Sequence, residues 1–211
     1  MDDYYNSHIE RIKKSLDILK PYIKNVKNIL NIGYSDFDSF LKEYFINSNI
    51  TYLIPGYENN CIEGNNYIKG DICNTNFNMN NKYDLIIFTE VLEHLFCDDN
   101  KVLQNIKKIM SYQGLLLISV PNALTFSHRL NALIGKNIYW DKKDIVNGVY
   151  GGYGHIREYT VEEIEGLVSK YFKLRKMAGI NGYRIGYRKL LNMLPITYSN
   201  TILLLGENDD K

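Results

Sequence analysis

Four histidines and a handful of carboxylates are the groups in this chain whose types suit proton transfer or ligand capture. His94 sits in the run Thr89-Glu90-Val91-Leu92-Glu93-His94-Leu95. His128 follows Pro121-Asn122. His155 ends a glycine-rich stretch and opens His155-Ile156-Arg157-Glu158-Tyr159-Thr160. An imidazole titrates near neutral pH, so each could take a proton from an acceptor hydroxyl. His155 is the first candidate because it ends the loop beside Arg157. His128 falls on an expected helix and can face a pocket. His94 reads as a group that caps or packs the turn after a strand, and His8, on the first helix, as a surface residue.

The stretch from Lys136 to Tyr159 is the expected cover of a small-molecule acceptor. It carries Tyr139, Trp140, Tyr150 and Tyr153 among Gly148, Gly151, Gly152 and Gly154. Aromatic side chains give apolar walls, and glycines let a loop close and exclude water. Other chemistries find no motif. G-x-G-x-x-G and G-x-x-x-x-G-K-[ST] are both absent, which argues against nicotinamide and P-loop nucleotide enzymes. Cys61, Cys73 and Cys97 are odd in number and lack C-x-x-C spacing, which argues against a disulfide framework and a zinc site and suits a reducing cytoplasm.

These residues need a scaffold, and the hydrophobic pattern supplies one. Ile9, Ile12, Leu16, Leu19 and Ile23 recur at helical spacing, so an amphipathic helix is expected over about Tyr5 to Lys20, inside an N-terminal segment 1–25. Short β-rich runs follow at Val26–Gly33, Ile50–Ile54 and Tyr67–Asp71, with a helix-like stretch around Phe37–Phe45. Tyr83–Phe88 and Leu115–Val120 are continuous apolar runs, the pattern of strands buried on both faces. Val102, Leu103, Ile106, Ile109 and Met110 mark a helix between them. Thr160 with Glu163 forms a capping box ahead of Ile164, Leu167, Val168 and Tyr171. Late strands are expected near Phe172–Met177 and Thr201–Leu205, around a short apolar helix near Tyr187–Leu194. The segment between Glu58 and Tyr67 is too short for a full crossover helix.

Strands alternating with helices predict an α/β fold: a three-layer sandwich around a seven-stranded, mostly parallel sheet with an antiparallel last strand. With 211 residues and no linker or repeat, one domain spans 1–211, with 123–159 as its substrate-side helix and lid loop. A net charge of +1 gives no electrostatic case for a nucleic-acid or anionic-membrane partner. No apolar stretch approaches the ~20 residues of a membrane span, and no leader is visible, so a cytoplasmic location is expected. Asn outnumbers Ala 25 to 3, which fits A/T-rich codons rather than a function.

In open parallel sheets, ligands bind beyond the carboxyl ends of the strands. The residues after each expected strand are, in order, Asn31-Ile32-Gly33-Tyr34-Ser35-Asp36, Gly56-Tyr57-Glu58, Gly70-Asp71-Ile72, Thr89-Glu90-Val91-Leu92-Glu93-His94-Leu95 and Pro121-Asn122. From about Lys27 to Tyr171 this series resembles the class I S-adenosylmethionine-dependent methyltransferases, specifically their small-molecule branch. Tyr83–Leu95, Gly114–Asn122 and His155–Thr160 carry the likeness most strongly.

The resemblance implies S-adenosyl-L-methionine as cofactor, S-adenosyl-L-homocysteine as product, and roles for individual residues. Asn31, Gly33 and Ser35 would form the loop around the cofactor, with Gly33 allowing close backbone approach. Glu58 would accept both ribose hydroxyls and Asp71 the adenine amino group, with Ile72 as apolar cover. Thr89 and Glu90 would lie near the methionine portion. His155 would act as the base, with His128, Trp140, Tyr153 and Arg157 on the acceptor side. No cluster of ligand-type residues suggests a metal. The family's acid-x-Gly-x-Gly-x-Gly loop is altered here, with Asn31 for the acid and Ser35 and Phe37 for two glycines. The Asn/Asp-Pro-Pro-aromatic motif of amide- and base-nitrogen methyltransferases is replaced by Thr89-Glu90-Val91-Leu92. A small-molecule oxygen or amine is therefore the expected acceptor, and nucleic acid is not an expected partner. A methyltransferase-like binding or scaffold protein without catalysis is the alternative. Oligomeric state stays open.

Overall fold

A computed structural model describes residues 2–33, 38–55, 66–143, 154–181 and 193–210. In chain order it forms α1 (Asp2–Leu19), β1 (Asn28–Ile32), α2 (Asp38–Tyr44), β2 (Asn49–Ile54), β3 (Asn66–Lys69) and β4 (Tyr83–Thr89). These are followed by α3 (Asp99–Lys108), β5 (Met110–Pro121), α4 (Phe126–Leu133), α5 (Val161–Ser169), β6 (Lys173–Ile180) and β7 (Thr201–Glu207). The described strands make one seven-stranded sheet in the order β3-β2-β1-β4-β5-β7-β6. β1, β2, β3, β4 and β5 pair in parallel, and β7 runs antiparallel to both β5 and β6. The expected three-layer α/β sandwich with an antiparallel last strand is observed. The reduced crossover before Tyr67 and most of the helix near Tyr187–Leu194 lie outside the described residues.

Alternation along each strand sorts the core into two layers. Leu30, Ile86, Phe88, Leu116, Ile118, Ile202 and Leu204 face Val102, Leu103, Ile106, Ile164 and Val168 of α3 and α5. Their neighbours Ile29, Leu85, Ile87, Leu117, Leu203 and Leu205 face Ile18 and Leu19 of α1 and Phe40, Leu41 and Phe45 around α2. This double burial explains the unbroken apolar runs in β4 and β5. At the amino end, Asp84 accepts from the Lys27 and Asn28 amides, both at 3.0 Å, and from Ser111 Oγ at 2.9 Å, tying three strands together. The predicted capping box at α5 is present in full, with Thr160 and Glu163 each bonding the other's backbone amide.

The carboxyl end carries the strand-following loops, and two devices fix them. Asn105 of α3 is buried, and its side-chain amide donates to the carbonyls of Ile72 at 2.8 Å and Asn74 at 2.9 Å. It thereby holds the turn that follows β3. The second device corrects an expectation. Cys73 and Cys97 form a disulfide, with an S–S distance of 2.10 Å across 24 residues. Count and spacing argue against a disulfide framework, but the loops after β3 and β4 meet at the same sheet edge, which spacing alone does not reveal. The cysteine argument for a reducing cytoplasm falls with it. No described helix is long and apolar enough to cross a membrane.

Asn105→Ala orphans the buried Ile72 carbonyl and removes the bond to Asn74, and the expected loss is about 1–3 kcal/mol of stability, read from urea unfolding midpoints. A loss below ~0.5 kcal/mol would contradict the anchoring role. Peptide mapping without reductant should recover Cys73 and Cys97 in one linked pair; recovery of both as free thiols from oxidised protein would count against the bond.

Candidate active site

Strand order reverses between β1 and β4, so the crevice for a ligand lies beyond their carboxyl ends. β1 delivers Asn31, buried inside the strand, and Gly33, which adopts φ +86°. A side chain at Gly33 would meet Val91 Cγ2 at 2.8 Å, so this turn demands glycine on two counts. β4 ends at Thr89, whose buried hydroxyl has no hydrogen-bond partner. Glu90 follows at φ +56°, a conformation rare for a residue with a side chain. Ser119 Oγ donates to Glu90 Oε1 at 2.7 Å, and Arg11 of α1 stands 3.5 Å from its other oxygen. The strained turn is thus held from β5 and from the N-terminal helix.

A short 3-10 turn, Leu92–His94, comes next and contains the carboxylate of Glu93. The Glu93 side chain is completely buried, and neither of its oxygens has a hydrogen-bond partner. Burial pushes its carboxyl well above the ordinary range and the charge of Glu90 adds to this, while its own backbone amide and Arg11 pull the other way. The Glu93 carbonyl accepts from the Ile156 amide at 2.8 Å. Asn122 and Tyr159 form a parallel bridge, and Ala123 N donates to Tyr159 O at 3.0 Å. Together these bonds lay residues 154–159 along the ends of β4 and β5.

That placement gathers the second cluster around Glu158. His155 Nδ1 lies 3.0 Å from Glu158 Oε1, Trp140 Nε1 donates to the same oxygen at 3.1 Å, and His128 Nδ1 stands 3.7 Å from Oε2. Burial alone would raise the Glu158 carboxyl. Hydrogen bonds from His155 and Trp140 and the charges of His155 and His128 outweigh it and hold it below the ordinary range. An ionised Glu158 accepts only, so His155 carries its proton on Nδ1 and presents the Nε2 lone pair when neutral. The Trp140 ring packs 4.5 Å from the His155 ring, and the His94 ring meets His155 edge-on at 5.2 Å. Glu93, His94 and His155 each offer one ligand-type atom, all within 4.8 Å of one another.

Thus His155, His128 and Trp140 lie together around Glu158. Arg157 pairs with Glu163 at 2.7 Å and lies over the Tyr159 ring. Asp71 accepts from the Cys73 amide at 2.8 Å, which shapes its turn, and Ile72 is buried in the core beneath it. Ser35, Glu58 and Tyr153 lie outside the described residues. Sequence reasoning passed over Glu93 and Glu158 as functional groups. The signals for them were the spacings Glu90-x-x-Glu93-His94 and His155-x-x-Glu158, both at segments that follow strands or loops. A shallow depression of about 430 Å³ lined by Asn28, Asn49, Thr51 and Asn66 lies at the opposite, amino edge of the sheet.

Comparison with known proteins agrees with this layout. No curated protein sequence matches the chain. Among solved structures, the N-methyltransferase NodS from Bradyrhizobium japonicum WM9, in complex with S-adenosyl-L-homocysteine, aligns over 97% of this chain and 88% of its own, at 15% identity and TM-score 0.57. An S-adenosylmethionine-dependent methyltransferase from Mesorhizobium loti aligns over 92% and 96%, at 12% identity and TM-score 0.61. The plantazolicin methyltransferase BpumL, bound to a triazolic desmethylPZN analog and S-adenosylhomocysteine, aligns over 97% and 85%, at 16% identity and TM-score 0.62. At such identities the likeness is one of fold. The family described as "Methyltransferase domain" matches residues 5–171, most of the chain. That match, on this strand order, makes the chain a member of the methyltransferase-domain family and a class I S-adenosylmethionine-dependent methyltransferase.

Proposed function

We propose that this enzyme methylates an oxygen or amine of a small molecule, with His155 as the base. The observation that carries the reading is the His155–Glu158 pair beside Trp140, at the sheet edge where the fold binds ligands. The residues suit the cofactor. Gly33 lets backbone approach it closely, and the orphaned Thr89 hydroxyl marks a polar group in want of a partner at the end of β4. Asn31, Gly33 and Ser35 would surround it, Glu58 would take the ribose hydroxyls, Asp71 with Ile72 the adenine, and Thr89 with Glu90 the methionine end. Bound S-adenosylmethionine supplies an electrophilic methyl group on a sulfonium.

The chain's own residues then position and deprotonate the acceptor. Displacement at the methyl carbon must be in line, so orientation does most of the work. Trp140 forms an apolar wall, with Tyr153 and His128 as further acceptor contacts. Glu158 keeps the proton of His155 on Nδ1, leaving Nε2 to receive the acceptor's proton. Arg157, paired with Glu163, would contribute to acceptor binding by holding the segment that carries His155. The BpumL structure, of the same fold, holds a triazolic desmethylPZN analog together with S-adenosylhomocysteine.

Isothermal titration with S-adenosylmethionine and S-adenosylhomocysteine should show binding, and Glu58→Ala should weaken it roughly 10- to 100-fold. His155→Ala should leave that binding intact and lower the S-adenosylhomocysteine released with phenol and amine acceptors by roughly 10²- to 10⁴-fold. No heat at millimolar cofactor, or loss of binding in His155→Ala with Glu58→Ala unaffected, would overturn these roles.

A further inference from the structure

We propose that Glu93, His94 and His155 form a binding site for one divalent transition cation of the Zn²⁺ or Mn²⁺ type. The sequence suggests no metal, because its ligands come from two distant segments. The fold closes that distance. The bond from the Ile156 amide to the Glu93 carbonyl holds the 3-10 turn against residues 154–159 and brings three ligand atoms within 4.8 Å of one another.

A second observation points to a cation independently of this clustering. The Glu93 side chain is wholly buried, and both of its oxygens lack hydrogen-bond partners. Arg11 offsets part of the charge, but a carboxylate whose two buried oxygens lack hydrogen bonds is costly, and a cation supplies the missing bonds. Glu90 does not do so: it is acidic itself and is engaged by Ser119 and Arg11. The histidines are prepared as ligands. His94 Nε2 stands 3.8 Å from Glu93 Oε1. His155 commits Nδ1 to Glu158, so Nε2 is its donor atom, and a carboxylate behind an imidazole is the usual support of a metal-bound histidine.

Two imidazoles with one carboxylate favour zinc and the later first-row metals over magnesium and calcium. Zinc bonds of about 2.0–2.2 Å place tetrahedral ligands about 3.3 Å apart, so small side-chain rotations close the observed cluster. His94 is partly exposed and gives the ion a way in. Three protein ligands leave a coordination position open beside Trp140. On the small-molecule reading of this site, an oxygen or nitrogen of the acceptor would fill it, and the cation would favour acceptors with such a donor. In the loaded protein His155 is a ligand; in the metal-free protein it keeps its lone pair for a proton.

The test uses the full chain, stripped with a chelator and titrated calorimetrically with Zn²⁺, Mn²⁺ and Mg²⁺ alone. One Zn²⁺ per chain is expected, bound at least tenfold more tightly than Mg²⁺. Glu93→Gln, His94→Ala and His155→Ala should each weaken Zn²⁺ at least tenfold, and Glu158→Gln, a positioning change, by roughly tenfold or more. Co²⁺-loaded protein should show visible absorption bands that Glu93→Gln abolishes. His94→Ala, at a partly exposed position, keeps the test decisive should a buried variant misfold. No stoichiometric Zn²⁺, or unchanged affinity in His94→Ala and His155→Ala, overturns the site. S-adenosylhomocysteine binding by the metal-free protein, measured in parallel, separates failure of this proposal from failure of the methyltransferase roles.

Discussion

β4 and the stretch of β5 from Gly114 to Pro121 are buried on both faces, and that constraint organises everything else. A strand with apolar layers above and below has no room for charged side chains along its length, because an uncompensated buried charge is expensive. Polar groups can therefore collect only where the strands end. At the amino end Asp84 spends its hydrogen bonds on structure, tying β1, β4 and β5 together. At the carboxyl end the chain turns sharply through Glu90, and Thr89, Glu93 and His94 follow in quick succession. The chemistry sits at one edge because the core leaves it nowhere else to go.

The carboxylates at that edge are set apart by their surroundings. Glu158 receives hydrogen bonds from two nitrogen donors and faces two imidazoles, and its ionised form is favoured. Glu93 is sealed away with a like charge nearby, and its ionised form is disfavoured. Two acids of the same kind are thereby driven in opposite directions a short distance apart, a pattern found where proton transfer or ion binding takes place. The frame around them is stiff: backbone bonds bind residues 154–159 to the ends of β4 and β5, while the Cys73–Cys97 bond and Asn105 fix the neighbouring loops.

Much of this frame is legible in the residues themselves. The apolar run Tyr83–Phe88 has the pattern of a doubly buried strand, and Thr160 with Glu163 announces the start of α5. Gly33 is readable because a chain leaving a strand so abruptly needs a positive φ. What escapes a linear reading is contact between distant segments. Nothing near Cys73 names Cys97 as its partner, and nothing near Glu93 says that Ile156 will lie against it. Arg157 shows the same limit: nothing in its neighbourhood in sequence announces its pairing with Glu163 of the capping box.

The central claim is that the carboxyl edge of the sheet, between the ends of β1 and β4, is where the cofactor binds. A crystal structure of the chain with S-adenosylhomocysteine tests it most directly. The account predicts density beside Gly33 and Thr89, with the homocysteine sulfur directed toward the Trp140–His155 side. Density in the asparagine-lined depression at the amino edge, with the carboxyl edge clear, would contradict it.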